Sequence, residues 1–462
     1  MAAAGKSNKS YERNRDESAA MFSNADLKRL IFPLVIEQAL ALTVGMADVM
    51  MVSYAGEAAV SGVSLVDMIN VLLINIFAAL ATGGAVVTAQ YLGARNRKKA
   101  CESADQLMVV TIVISIFIMG LTLVFQRPLL RLFFGAIEDD VMSACITYLW
   151  ISALSYPFLA VYNSCAALFR AMGNSKVSML VSLAMNVINV AGNAFFIFTF
   201  QMGVAGVATA SLISRVAACV IMVVLLSNPG HQVFISLKWE YLKPDFPVIK
   251  KILHIGIPNG LENSFFQLGR VLVVSIISGF GTVQIAANAV ANNLDGVGCI
   301  PGKAIGLAMI TVVGRCVGAG DNEQAVYYTK KLLGWAYLVM GVLNGLILIF
   351  VRPLVGIYEL SGETMELSII LACIHAGFAM LLWPLSFVLP NALRAANDVK
   401  FTMIVSIASM ACWRVGFSYI IGVRMGMGAI GVWIAMVVDW VCRVTCFVTR
   451  FRSGVWKEKY KA

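Results

Sequence analysis

Two copies of one apolar pattern fill this chain, and that duplication limits its fold more than any other feature. Pro33 of FPLVIEQ answers to Pro258 of IPNGLEN, a register of 225 residues. Gly93 of YLGARNRKKA answers to Gly318 of CVGAGDNEQA, Pro128 of FQRPLLRLF to Pro353 of FVRPLVGIY, and Gly203 of GVAGVATA to Gly428 of GAIGVWIA, all at that register. Of the 462 residues, 60% are hydrophobic and 13% charged. Soluble domains carry about 45–50% apolar and roughly a quarter charged residues. Apolar runs of about 20 residues recur, each long enough for a hydrocarbon core about 30 Å thick. Helices are the expected form, because a closed β-barrel would show short alternating segments. A duplicated chain of apolar helices is the pattern of a secondary transporter, whose pathway lies between related halves.

The runs predict an all-α polytopic membrane protein with twelve transmembrane helices in two parallel-repeat six-helix lobes. The first six spans cover roughly 29–54, 60–91, 103–126, 141–168, 177–200 and 204–227; the second six cover roughly 249–279, 284–314, 329–352, 366–393, 401–423 and 428–450. Five segments follow: a tail at 1–25, a first lobe at 26–230, a linker at 231–247, a second lobe at 248–451 and a tail at 452–462. The linker is polar and bears prolines. The N-terminal stretch has no apolar signal-peptide core, so the first true span is expected to direct insertion.

The net charge of +10 does not call for nucleic acid, because the basic residues sit in short loops. Arg95, Arg97, Lys98 and Lys99 follow span 2, and Arg170 and Lys176 lie between spans 4 and 5. Lys238, Lys243, Lys250 and Lys251 lie in or beside the linker, Lys330 and Lys331 follow span 8, and Arg394 and Lys400 lie between spans 10 and 11. The tail adds Arg450, Arg452, Lys457, Lys459 and Lys461. The opposite loops hold little beyond Arg127, Arg131, Arg352 and Arg424. This bias puts both termini in the cytoplasm of a multi-pass protein. Six spans per half make the repeats parallel, about an axis along the membrane normal. The ten cysteines include no CxxC pair and read as reduced, small apolar residues.

An ionisable residue deep in a span costs roughly 2.5–3.5 kcal/mol on insertion scales, so each needs a partner or water. Asp48 of VGMADVMM lies about 9 Å below the outer end of span 1. Asn186, Asn189 and Asn193 share one face of span 5, and Ser211 reaches a similar depth from span 6. A carboxylate ringed by amide and hydroxyl oxygens suits a proton or a sodium ion; the plainer account is polar glue between helices. Pro33, on the Asp48 helix, removes one backbone bond and permits a kink, either static or coupled to the charge of Asp48. Glu37, one turn on, and its repeat partner Glu262 read as water-reached carboxylates at helix ends.

In the second half, Arg270, Asp295, Arg414 and Asp439 fall at one depth, where two cations and two anions can neutralise each other. They fix the lobe as a network or form a polar wall of the cavity. Arg443 lies one turn below Asp439 and can also pair with it, and Arg215 and Asp67 form a similar candidate pair in the first half. His231, His254 and His375 are scattered, without metal-ligand spacing, and read as structural. The 25 Phe and 23 Met suit an adaptable substrate pocket, although most must face lipid or neighbouring helices. No GxxxxGK[ST] occurs, so no motif for ATP is present. No nucleophile–base set stands out either, so an intramembrane enzyme is not the expected class.

Several pieces, in order and register, give the chain a family resemblance. They are PLVIEQ…VGMADVMMVSYAG, AQYLGARN with its echo GRCVGAGD, LFRAMGNSK with its echo LRAANDVK, NVINVAGN and GVAGVATAS. Together they cover about residues 26–452, and the whole resembles the bacterial multidrug and toxic compound extrusion (MATE) transporters. The resemblance implies two six-helix lobes forming a V around a central cleft. It implies export of amphipathic, often cationic organic compounds in antiport with H+ or Na+, and no cofactor beyond that coupling ion. Asp48 then matches the family's first-helix carboxylate, Pro33 its kink-forming proline, Asn189 and Asn193 its fifth-helix polar motif, and Ser211 its sixth-helix hydroxyl. One branch carries an aspartate where Asn193 stands. The best-known sodium-coupled branch carries acids in helices 7 and 10, where this chain reads SFFQLG and LLWPLSF. The resemblance therefore implies proton coupling at Asp48, with Na+ at the same cluster as the alternative, in a monomer whose partners are the lipid bilayer and a small organic substrate. A lipid-linked oligosaccharide flippase of the same superfamily is the other reading, and Arg270, Arg414 and Lys303 are what keeps it open.

Overall fold

The computed structural model describes residues 20–135, 138–236 and 243–460, with the side chains of residues 46–49 left outside. Every regular element among the described residues is helical. The first half holds α1 (Asn24–Val52), α2 (Glu57–Gly93), α3 (Arg97–Phe134), α4 (Asp139–Leu154), α5 (Tyr156–Ala171), α6 (Ser175–Ala194) and α7 (Gly203–Leu226). The second holds α8 (Phe246–Ser278), α9 (Thr282–Gly298), α10 (Ile300–Gly318), α11 (Asn322–Ile349), α12 (Val351–Gly356), α13 (Gly362–Trp383), α14 (Leu389–Ala395), α15 (Val399–Ser409) and α16 (Gly428–Ser453). Ten helical stretches among the described residues are long and apolar enough to cross a membrane, and α4 with α5, bent by 47°, makes an eleventh. The 33-residue α8 occupies the place of span 7 and completes the twelve.

Several spans are not the single rods that hydropathy predicts. Span 8 is divided at Cys299, where α9 ends and α10 restarts with Pro301 near its N-terminus. Proline has no N–H and its ring presses on the preceding turn, so such a restart is inexpensive only at a first turn. The same physics acts at Pro128 and Pro353. Three residues earlier, Phe125 leaves helical dihedrals at φ −105°, ψ 20°, and Phe350 does so at φ −103°, ψ 18°. By contrast, α1 stays helical through Pro33 and α8 through Pro258.

The repeat register slips and recovers. Arg170 and Lys176 answer to Arg394 and Lys400 at 224 residues, whereas Gly203 answers to Gly428 at 225. Span 11 takes up the additional residue in π turns at Met410–Gly416 and Ser418–Arg424. Span 5 has one such turn, at Phe195–Thr199. A π turn holds more residues per turn than an α turn, so it absorbs an insertion without rotating the helix ends.

The lobes meet through exchanged first helices. Leu27, Leu30 and Leu34 of α1 share a buried cluster with Ala308 and Val312 of α10, and Ile252 and Ile255 of α8 share one with Val86 and Val87 of α2. At the end carrying the basic loops, α2 and α10 cross at a glycine from each. A Cβ on Gly93 would run into the Arg315 carbonyl, and one on Gly318 into the Gln90 carbonyl. Gln90 and Arg315 are themselves 225 residues apart. Gln90 Nε2 donates to Ala395 O at 2.8 Å, and Arg315 donates to Ala171 O from Nε at 3.0 Å and Nη2 at 2.8 Å. Each thus satisfies a carbonyl exposed at the end of the other lobe's bent span. The pseudo-twofold is therefore present in the contacts that close this end.

Candidate functional site

In the first lobe α6 packs along both α1 and α7, which brings the predicted polar set together. Asn189 Nδ2 donates to Ser211 Oγ at 3.0 Å, and Asn193 Nδ2 donates to Asn189 Oδ1 at 3.3 Å. Asn189, Asn193 and Ser211 are all buried. The Asn186 amide nitrogen, one turn away, is buried with no hydrogen-bond partner among the described residues. The helix α1 runs through position 48, and the Asp48 side chain lies outside the described residues. Each amide in this ladder gives its N–H to the next oxygen, which leaves the Ser211 hydroxyl proton for a further acceptor.

The Asp67–Arg215 pair does not form. Asp67 Oδ1 accepts from Asn70 at 3.3 Å and Tyr148 at 3.2 Å, while Arg215 Nη1 donates to Ser155 Oγ at 2.6 Å. Neutral donors from the neighbouring helix and turn reach the carboxylate first.

Glu37 and Glu262 are not water-reached helix ends, and this corrects the sequence reading. Glu37 Oε1 lies 3.3 Å from Arg170 Nη1, and its Oε2 accepts from Ser178 at 2.9 Å. Glu262 Oε1 lies 2.6 Å from Arg394 Nη2 and accepts from Ser406 at 2.6 Å. Helix-end depth alone suggested water, but the turn after α5 and the turn after α14 fold back and bury both acids. The signal was present in the sequence: the LFRAMGNSK and LRAANDVK echoes supply an arginine to each half at nearly the register that relates the two glutamates.

The four-charge set of the second lobe is also rearranged. Asp295 Oδ1 pairs with His375 Nε2 at 2.6 Å and accepts from Cys299 Sγ at 3.1 Å. Asp439 Oδ1 accepts from Arg443 Nε at 3.1 Å and from the Ser409 hydroxyl. Arg443 also donates to Ser406 and lies between the Phe266 and Phe387 rings, at 5.5 and 5.2 Å. One hydrogen-bonded chain therefore links Glu262, Ser406, Arg443 and Asp439. Neither Arg270 nor Arg414 forms an ion pair among the described residues, because nearer donors have taken both acids. The donor atoms of Asp295, Cys299 and His375 lie within 4.8 Å of one another. Sequence spacing missed this group because His375 arrives from another helix; only the one-turn spacing of Asp295 and Cys299 was legible.

The fold and these buried polar sets define a polytopic two-lobed membrane transporter. The family model named MatE matches the chain twice, at residues 33–195 and 258–420, the same 225-residue register. The chain belongs to the MatE family. It is 29% identical to an uncharacterized transporter, YisQ, of Bacillus subtilis, over 96% of both chains. It is 26% identical to a probable multidrug resistance protein, NorM, of Thermotoga maritima, over 94% of this chain and 93% of that one. The outward-facing structure of a multidrug resistance MATE family transporter superposes with a TM-score of 0.87 at 21% identity, covering 94% of this chain and 96% of that one. A MOP superfamily transporter from Pyrococcus furiosus gives 0.86 at the same identity and the same coverages.

Proposed function

We propose that this transporter is a secondary active exporter of amphipathic, often cationic organic compounds, driven by antiport with H+ at the first-lobe polar cluster. The observation that carries the reading is the hydrogen-bonded set Asn193–Asn189–Ser211 on helices packed against the helix that bears Asp48. Relatives across nearly the whole chain that are named probable multidrug resistance proteins support the export class. The positive-inside bias makes the end closed by Gly93 and Gly318 cytoplasmic, in a bacterial cytoplasmic membrane with both termini inside. The cleft then opens outward. Protonation of Asp48 neutralises a carboxylate among neutral amides, which binds differently in the two access states, and that difference is what shifts their balance. Sodium is the second candidate ion, since the same oxygens suit it.

Reconstituted protein loaded with a fluorescent organic cation tests this. A pH gradient and a sodium gradient are imposed separately. Gradient-driven efflux is expected with the pH gradient, and Asp48→Asn is expected to reduce it to the level of empty vesicles. Undiminished efflux by Asp48→Asn ends the reading.

A further inference from the structure

We propose that the second lobe contains an anion-recognition pocket, built on Arg270 and Arg414, that takes the carboxylate or phosphate-type head of an amphiphilic substrate. The pocket lies where α8, α9, the π-helical part of span 11 and α16 converge, and Arg270, Arg414, Asn288, Asn292 and Trp433 line it. Its free volume is about 30 Å³. That admits a water-sized polar group, so it holds the charged end of a ligand and leaves the body of the ligand outside.

Three observations make it an anion site. First, the carboxylates that could neutralise these arginines are committed elsewhere: Asp295 to His375 at 2.6 Å, Asp439 to Arg443 at 3.1 Å. Counting Arg270, Arg414 and Arg443 against Asp295 and Asp439, the group carries one more cation than anions. Second, Arg414 Nε is buried and donates to no acceptor among the described residues. A buried guanidinium donor without a partner is costly, and an oxyanion is the partner its planar fork fits best, in a bidentate pair. Third, the Asn288 carbonyl accepts from Trp433 Nε1 at 2.9 Å. The indole can only donate, which fixes the amide orientation. The Asn288 NH2 is then the group left for the pocket. The polar lining offers donors from two guanidinium groups and an oriented amide, with no carboxylate.

The repeat strengthens the assignment. At the 225-residue register Arg414 answers to Asn189, and Val273, which also lines the pocket, answers to Asp48. The place that carries an acid among neutral amides in one lobe carries bases and no acid in the other. A zwitterionic amphiphile would present its anionic head here while its cationic part faces the rest of the cleft. This deepens the exporter reading and rests on it for the direction of movement; binding does not depend on it.

The test uses the full chain in lipid nanodiscs and one zwitterionic rhodamine bearing a free carboxylate, compared with its own ethyl ester, by fluorescence anisotropy. Wild type is expected to bind the acid at least tenfold more tightly than the ester. Arg270→Gln and Arg414→Gln should each remove most of that preference and leave ester binding within about twofold, with Arg414→Lys recovering part of it. Equal binding of acid and ester by wild type, which needs no variant to fold, would overturn the proposal. So would a preference kept by both glutamine variants. Displacement of the acid dye by inorganic pyrophosphate but not by benzoate would overturn the substrate-head assignment in favour of a lipid pyrophosphate. If neither dye moves under any gradient in proteoliposomes while the nanodisc preference stands, the exporter reading fails and the pocket survives.

Discussion

The two lobes descend from one pattern, yet they use their buried charge differently. The first lobe holds a ladder of neutral groups, Asn193 to Asn189 to Ser211, against the helix of its acid. The second replaces that ladder with a charged chain running from Glu262 through Ser406 and Arg443 to Asp439. Both keep a glutamate–arginine pair near the basic end, Glu37 with Arg170 and Glu262 with Arg394. The lesson is that duplication preserved what closes and braces the molecule and released what faces the cleft. A charged network fixes geometry, because every shift breaks several bonds at once. A neutral ladder around one titratable group can change its charge without dismantling its surroundings. The divergence therefore assigns ion coupling to the first lobe and substrate selection to the second.

The largest effect that would break this division comes from exchanging its centre. Asp48→Asn should abolish gradient-driven efflux while the register-matched Val273→Asn leaves measurable transport; equal losses in the same vesicle assay would erase the asymmetry. Next come the bracing pairs. Glu262→Gln leaves Arg394 facing a neutral amide, and losing one partner of a buried pair costs about 3–5 kcal/mol. Glu37→Gln should cost visibly less, because the side chains of that pair are 13% and 15% exposed against 7% and 11% in the other. Thermal unfolding in one detergent ranks the two, and a larger loss for the Glu37 variant would reverse the comparison.

The basic-end crossing predicts a symmetric result. Gly93→Ala and Gly318→Ala each force a methyl group into an opposing carbonyl, an overpacking cost of about 1–3 kcal/mol. Spin-label distances across this end should lengthen in both variants to a similar extent. Lengthening in one alone would show that the pseudo-twofold does not govern closure. The smallest effect belongs to Asn189→Ala, which removes the bond to Ser211 and costs about 1 kcal/mol. It should shift the pH midpoint of transport more than it lowers the melting temperature; the opposite order would make the ladder mere glue.

The duplication, the helical class and the cluster Asn189, Asn193 and Ser211 were legible because each rests on periodicity. A register of 225 and spacings of three and four residues survive in one dimension, and apolar length is a direct demand of the bilayer. The charge pairings were not legible, for a physical reason. A buried carboxylate takes whichever donor the packing brings nearest, and those donors came from other helices: His375 to Asp295, Arg394 to Glu262, and Ser155 to Arg215 in place of Asp67. Depth along a helix fixes the level of a side chain but not its azimuth toward a neighbour. Only tertiary packing sets that azimuth, and with it which arginines were left without an acid.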